Sequence, residues 1–215
     1  MPKIICLSDT HNCNEQIVVP DGDILIHAGD ATIRGTINEI VLFNEWFANL
    51  PHKSKIFVAG NHDWLFETNL RLAKSLLDDK IIYLQDSSVE INGLKIYGSP
   101  YQPRFFDWAF NLMRGKELAR KWKLIPNDTD ILITHGPPFG ILDKVPRQYF
   151  VENTGCEELR RQIEELVCFE KLKLHIFGHI HCGYGTTEKF GVKFVNASNC
   201  DESYEPTNPP IMIDL

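Results

Sequence analysis

Seven side chains hold most of the chemistry this sequence can do: Asp9, His11, Asp30, Asn61, His135, His179 and His181. Each follows the end of a short apolar run. Asp9-Thr10-His11 follows Lys3 to Leu7, Gly29-Asp30 follows Asp23 to Ala28, and Gly60-Asn61-His62-Asp63 follows Lys55 to Ala59. Thr134-His135-Gly136 closes the run from Ile131, and Gly178-His179-Ile180-His181 follows Lys173 to Phe177. Any one of these could be a plain turn, and Gly60-Asn61 is expected to form one through left-handed backbone. Five together point to a shared purpose. Imidazole mixed with carboxylate and amide oxygen suits borderline divalent metals such as Zn, Fe or Mn rather than Ca. Seven donors are too many for one catalytic ion with an open position, and they suit two ions sharing a bridging carboxylate. Such ions, about 3.5–4 Å apart, can hold a hydroxide and a phosphoryl oxygen for in-line displacement, with bound water at a pKa of about 7.

The elements that position these donors follow from periodicity. Residues 3–8 and 23–28 are predicted as buried strands. Thr36 caps a helix, with Glu39 in the capping-box position. The apolar residues Ile37, Ile40, Val41, Phe43, Phe47 and Leu50 recur at helical spacing until Pro51. A second helix is expected over 67–77. This β-β-α-β-α rhythm belongs to a mainly parallel sheet covered by helices, which puts functional loops at the carboxyl ends of strands. From residue 81 the pattern shortens into strands 81–84, 89–91 and 94–98, with Asn92-Gly93 marking a hairpin that opens a second sheet. Ser99 to Asn111 is an aromatic loop expected mostly to pack on the core, with Tyr101 and Arg104 as candidates for substrate contact. Helices near 114–123 and 155–168 and strands at 131–134, 173–177, 193–196 and 210–213 complete the chain. No linker divides it, so one domain is expected over residues 1–215.

Bulk properties narrow the function classes. A net charge of −7 over 215 residues argues against non-specific nucleic-acid binding. The cluster Arg114, Lys116, Arg120, Lys121 and Lys123 reads as a solvated helix face. No apolar run approaches the ~20 residues that span a bilayer, and no signal peptide is evident. Six cysteines without C-x-x-C spacing read as reduced thiols, so a cytoplasmic protein is expected. Cys182, beside His181, could be a soft ligand, though a lone Cys is more often structural. His27 and His175, inside strands, read as core residues, and His52 as an exposed turn residue.

Taken together and in order, Asp9-x-His11, Gly29-Asp30, Gly60-Asn61-His62-Asp63, His135 and Gly178-His179-x-His181 resemble the five signature blocks of the calcineurin-like metallophosphoesterases. The resemblance implies an α/β fold, a four-layer α/β/β/α sandwich of two mixed sheets flanked by helices, with a binuclear site at the strand ends. It implies one ion held by Asp9, His11, Asp30 and His181, and the other by Asp30, Asn61, His135 and His179. His62 is implied as the catalytic group near the scissile phosphate, giving a proton to the leaving oxygen or stabilising its charge. Asn61 and His62 would contact substrate, with Arg34, Tyr101 and Arg104 as further candidates.

Outside the metal blocks, the stretches Asp130 to Pro138, Phe177 to Gly185 and Asn196 to Pro210 are similar to the metallophosphoesterase-domain-containing subfamily. That implies hydrolysis of small phosphodiesters, cyclic nucleotides among them, by metal-activated hydroxide, with Mn or Fe favoured over Zn or Mg. Some members have Gly where His179 stands; this chain keeps the imidazole. Phosphoprotein phosphatases continue Gly-Asp as x-x-Asp-Arg-Gly, and their second Asp orients the catalytic His. Ile33 stands there in this chain, which leaves the partner of His62 open. Arg34 is then a candidate to pair with Asp63 or to contact phosphate, the pairing being preferred. A phosphomonoesterase on the same site and a non-catalytic scaffold are the alternatives, and the scaffold class can lack His62.

Overall fold

Branched apolar residues dominate the runs that precede the site motifs, and each run is a strand in the computed structural model, which describes residues 2–215. In chain order, β1 (Lys3–Leu7), β2 (Ile24–His27), α1 (Ile37–Asn49) and β3 (Ser54–Phe57) come first. Two short helices, α2 (Trp64–Thr68) and α3 (Leu70–Ser75), lead to β4 (Ile81–Tyr83) and the hairpin of β5 (Ser87–Ile91) and β6 (Leu94–Ser99). Then follow β7 (Gln102–Pro103), β8 (Asn111–Leu112), α4 (Lys116–Trp122) and β9 (Ile131–Thr134). A second hairpin, β10 (Lys144–Pro146) and β11 (Val151–Asn153), precedes α5 (Glu157–Val167) and β12 (Leu174–Phe177). The chain closes with β13 (Gly185–Lys189), β14 (Val192–Asn196) and β15 (Ile211–Asp214).

The first sheet has the order β15-β1-β2-β3-β4 and is parallel except for β15. The second runs β13-β14-β12-β9-β6-β5, parallel in the middle and antiparallel at both edges. Alternation along each strand sorts side chains to two faces. Ile4, Ile24, Ile26 and Ile56 of the first sheet meet Ile96, Ile131, Ile133 and Ile176 of the second. On its outer face the first sheet packs Leu7, Leu25 and Phe57 beneath Ile40, Phe43 and Phe47 of α1. The second sheet packs Leu132, Phe177 and Phe194 beneath Trp122 of α4 and Leu159 and Ile163 of α5. Burying each such Ile, Leu or Phe stabilises the fold by about 1.5–3 kcal/mol. The layers are helix, sheet, sheet and helix, as the resemblance implies.

Several local expectations need correction. The capping box at Thr36 and Glu39 forms, and the Asn92-Gly93 turn has both residues at positive φ, 53° and 76°. The helix expected over 67–77 is instead two. Asn69 ends α2, and its side chain accepts from the Leu72 amide to cap α3, a role that suits Asn better than a helix interior. The run at 81–84 does not open the second sheet, because β4 pairs parallel with β3 at the edge of the first. Strands β10, β11 and β13 carry no sequence signal, being short and largely exposed with little apolar alternation. His52 is buried rather than exposed, its Nε2 2.9 Å from the Pro20 carbonyl. All six cysteines are free thiols, and among the described residues no helix is long and apolar enough to cross a membrane.

Candidate metal centre

The ends of β1, β2, β3, β9 and β12 meet where the two sheets are joined. Ser8 bridges Ser198, and the Asn199 amide donates to the Ser8 carbonyl at 2.8 Å. Left-handed backbone turns the polar side chains inward, with φ of 52° at Asp9, 41° at His11, 53° at Asp30 and 68° at His179. Gly60 and Asn61, expected in that conformation, do not adopt it. Gly60 is there for space: a Cβ would lie 2.3 Å from Asp30 Oδ1 and 2.7 Å from His135 Cε1. Gly178 is equally confined, since its Cβ would lie 2.0 Å from Asp9 Oδ2.

All seven expected donors converge. Asp9, His11 and His181 form one group of mutually close donor atoms, Asp30, His135 and His179 form another, and His11 and Asp30 form a third with His62, which the resemblance had set outside the ligands. His11 Nε2 is 3.9 Å from Asp30 Oδ2, and His135 Nε2 is 3.2 Å from the same oxygen, so Asp30 lies between the first two groups. His181 Nε2 is 3.4 Å from Asp9 Oδ1, and Asn61 Oδ1 is 2.9 Å from His135 Nε2. On the outward side, Nδ1 of His11, His135 and His181 faces the carbonyls of Thr32, Ala28 and Asp201 at 3.1, 3.0 and 2.7 Å. A carbonyl only accepts, so each Nδ1 carries a hydrogen and each Nε2 faces the centre, where at His135 and His181 it holds a proton toward Asp30 and Asp9 or, with that proton displaced, offers a lone pair to an ion. His11 and His181 thus bring Nε2 atoms within 3.3 Å of each other, a spacing that a proton on His181 or a metal ion between them satisfies. The donor set fits divalent ions.

Electrostatics agree. Burial alone would lower His135 and His181, yet the carboxylates of Asp30 and Asp9 raise each to about 9. Burial wins at His11 and His179, pushed down to about 4 and about 3. Burial would also raise Asp9 and Asp30, but the facing histidines hold both carboxyls well below the usual range. The centre therefore attracts positive charge, whether protons or metal ions.

The surrounding contacts revise several sequence expectations. Asp63 accepts from the Gly60 and Thr32 amides at 2.8 and 3.0 Å and from Thr32 Oγ1 at 2.7 Å, tying the Asn61 loop to the Asp30 loop. Burial, then the Asp30 charge, pushes its carboxyl up to about 6. Arg34 is exposed and does not pair with it, because main-chain and threonine donors already fill the carboxylate. The open partner of His62 is a main-chain group: Nδ1 faces the Ile33 carbonyl at 2.8 Å, where the phosphatases would offer a side-chain carboxylate.

A cavity of about 390 Å³ opens onto Asp30, Asn61, His62 and His179. Arg104 lines it with its guanidinium paired to Asp107 at 2.6 Å. Tyr101 stands away from it, under Lys121 Nζ at 3.9 Å and edge-on to Phe110. The basic cluster is not one solvated face, since Arg114 lines the cavity and pairs with Glu157 while Lys121 pairs with Asp86. Cys182 lines the cavity too, but lies outside all three donor groups. Three neighbours were not singled out as site residues from the sequence. Ser198 Oγ donates to Asp9 Oδ2 at 2.8 Å, Trp108 stacks on His62 at 4.1 Å, and Tyr204 stands edge-on to His11 at 4.7 Å. Trp108 was visible as one of several loop aromatics; Ser198 and Tyr204 lie in a turn-rich stretch with no period to read.

Two mixed sheets with clustered metal donors at their joined strand ends define a metallophosphoesterase. The chain belongs to the calcineurin-like phosphoesterase family, whose model matches residues 2–183. It is 45% identical to Metallophosphoesterase domain-containing protein 1 of Homo sapiens and of Mus musculus, over 99% of this chain and 71% of each relative. A UPF0046 protein of Caenorhabditis elegans is 38% identical over 98% of this chain and 74% of its own. Members of the family are typically metal-dependent phosphoesterases with two ions, which the two donor groups fit.

Proposed function

We propose that the protein is a phosphodiesterase that hydrolyses small phosphodiesters of the nucleotide class, cyclic nucleotides among them. The observation that carries this reading is the set of inward Nε2 atoms, each fixed by an Nδ1 hydrogen bond to a main-chain carbonyl. Asp9, His11, Asp30 and His181 would hold one ion, and Asp30, Asn61, His135 and His179 the other. The mixed nitrogen and oxygen set suits Zn, Fe or Mn, and among these the subfamily resemblance favours Mn or Fe. Such ions supply Lewis acidity and lower the pKa of water.

The chain's own residues do the remainder. Asp30 Oδ1 accepts the His62 amide at 2.8 Å, which places that residue beside the donor groups. With Nδ1–H donated to the Ile33 carbonyl, Nε2 is the His62 nitrogen left to face substrate, and as the imidazolium the ring gives its Nε2 proton to the leaving oxygen and is left neutral. A cavity of about 390 Å³ is within the range of small-molecule sites. Its arginines favour a diester over a monoester. Arg104, Arg114 and Arg147 are each paired with an acid, Asp107, Glu157 and Glu152, so they offer little to the second charge of a monoester. One domain over residues 1–215 and a cytoplasmic setting belong to the same reading, the latter supported by six free thiols.

The test is turnover of bis-p-nitrophenyl phosphate and p-nitrophenyl phosphate by chelator-stripped protein resupplied with Mn, Fe, Zn or Mg. Metal-restored cleavage should favour the diester. The reverse preference would make the protein a monoesterase, and no turnover with two ions bound would make it a scaffold. His62→Ala should keep its ions and lose about 10²–10⁴-fold in kcat, and an unchanged kcat would remove His62 from catalysis.

A further inference from the structure

A second cleft, of about 660 Å³, adjoins the cavity at His62. Its walls are mainly aromatic, Trp64, Phe105, Phe106, Trp108 and Tyr204, with Asp107 the one acid among them, and His62, Phe105 and Tyr204 are shared with the cavity. Phe106 and Tyr204 have positive φ, 49° and 64°, a conformation bulky residues rarely adopt. Two other aromatics share it: Phe190 at 57°, in the two-residue turn of the β13–β14 hairpin completed by Gly191 at 73°, and Phe110 at 56°, whose ring is buried in the core. Phe106 and Tyr204 lie in no such hairpin. In both, the unusual backbone holds a ring on the cleft wall, 74% and 44% exposed. The Phe106 loop is braced from beneath, with Asn111 Nδ2 donating to the Phe105 and Phe106 carbonyls at 3.2 and 3.0 Å. A loop this firmly held does not leave a phenyl ring in water by slackness.

We infer that this cleft is a subsite for a planar aromatic group, a nucleobase or aryl ring, on the leaving side of the substrate. The inference rests on the phosphodiesterase reading. His62 meets the leaving oxygen and lines the cleft as well as the cavity, so the departing alcohol has the aromatic wall beside it. Trp108 fixes one end of that wall by stacking on His62 at 28° between planes, and Phe105 meets Phe106 edge-on at 4.5 Å. Aromatic faces stack on any base, so the subsite selects for a flat ring rather than for one base.

Methyl p-nitrophenyl phosphate and bis-p-nitrophenyl phosphate release the same p-nitrophenolate and differ in the group that stays. In the Mn-loaded enzyme, Phe106→Ala should raise KM for both by on the order of tenfold. A rise for the bis ester alone would put the staying group in the cleft, and no rise for either would remove the subsite; both outcomes overturn the inference. Tryptophan emission supplies a readout without turnover. Adenosine should quench it in chelator-stripped protein, about tenfold more weakly binding in Phe106→Ala, and absence of quenching also overturns the subsite. Wild-type protein that binds adenosine yet cleaves neither diester would mark failure of the phosphodiesterase reading, and the leaving-side assignment would fall with it.

Discussion

His175 and His179 lie four residues apart, one inside β12 and one just past its end. Burial pushes both imidazoles down to about 3, although His179 keeps part of its surface open to the cavity. Their surroundings differ. His175 has Nε2 at 2.8 Å from Thr134 Oγ1, no partner for Nδ1, and the rings of Phe177 and Phe194 beside it. His179 has Asp30 and His135 within its donor group. His27 repeats the first arrangement in the other sheet, with Nε2 at 3.0 Å from Thr10 Oγ1 and the rings of Phe43 and Phe57 around it. Strand interiors and strand ends thus use one residue type for two purposes. Burial is common to both; what separates them is membership of a donor group with Asp9 or Asp30, and those carboxylates outweigh burial at two of the strand-end histidines. Asp30 and Asp9 reverse the effect of burial at His135 and His181, and nothing does so at His175.

Removing the carboxylate between the two donor groups should erase that distinction. Asp30→Asn is expected to lose both ions and to lower diester turnover by roughly a thousandfold or more. His27 and His175 should continue to brace their sheets, so the folded state should persist. Metal content by plasma mass spectrometry decides it, and two ions per chain in the variant would contradict the bridging assignment.

Acid should strike the strand interior. The folded chain keeps His175 neutral down to about pH 3, whereas its ordinary pKa is 6.5. Below pH 6.5 the unfolded state therefore binds the extra proton, so this contribution to stability is complete above 6.5 and drains as pH falls toward 3. At pH 5 the loss is on the order of 2 kcal/mol. His175→Gln retains a donor for Thr134 Oγ1 but does not titrate. Any deficit it shows at pH 8 should shrink by about that amount at pH 5, read from denaturant unfolding of chelator-stripped protein. A gap independent of pH would mean that His175 is not kept neutral.

The same contrast explains what could be read from the sequence. Strand ends are legible because alternation stops where Gly, Asp, Asn and His begin, and both signals are local. The seven donors and the layered fold came from those ends and from the family resemblance. Partners chosen by tertiary proximity were not legible. The Ile33 carbonyl that holds His62 has no side-chain signature, and Arg34 was a reasonable partner for Asp63 until Thr32 and Gly60 filled that carboxylate. Tyr101 and His52 were misplaced for the same reason: each finds its neighbours far away in sequence, at Lys121 and Pro20. The edge position of β4 follows from pairing, which a short apolar run does not encode.

The smallest expected effect asks whether a core histidine also aims the donors. Gly29 N donates to His27 Nδ1 at 3.3 Å, so His27 donates from Nε2 to Thr10 Oγ1. One ring therefore connects the residue between Asp9 and His11 to the residue before Asp30. His175 lacks that second contact, its Nδ1 being unpartnered. Thr10→Val and Thr134→Val each orphan a buried imidazole N–H, and each should cost about 1–3 kcal/mol in denaturant unfolding. Their effects on metal binding should differ. Thr10→Val frees a ring that touches two of the three donor loops of the first sheet, and its Mn affinity, measured by chelator competition, should fall about tenfold. Thr134→Val should lower it less, because His175 touches no donor loop beyond Thr134 itself. Equal losses of affinity would mean that the core histidines hold the sheets without distinguishing between the donors they adjoin.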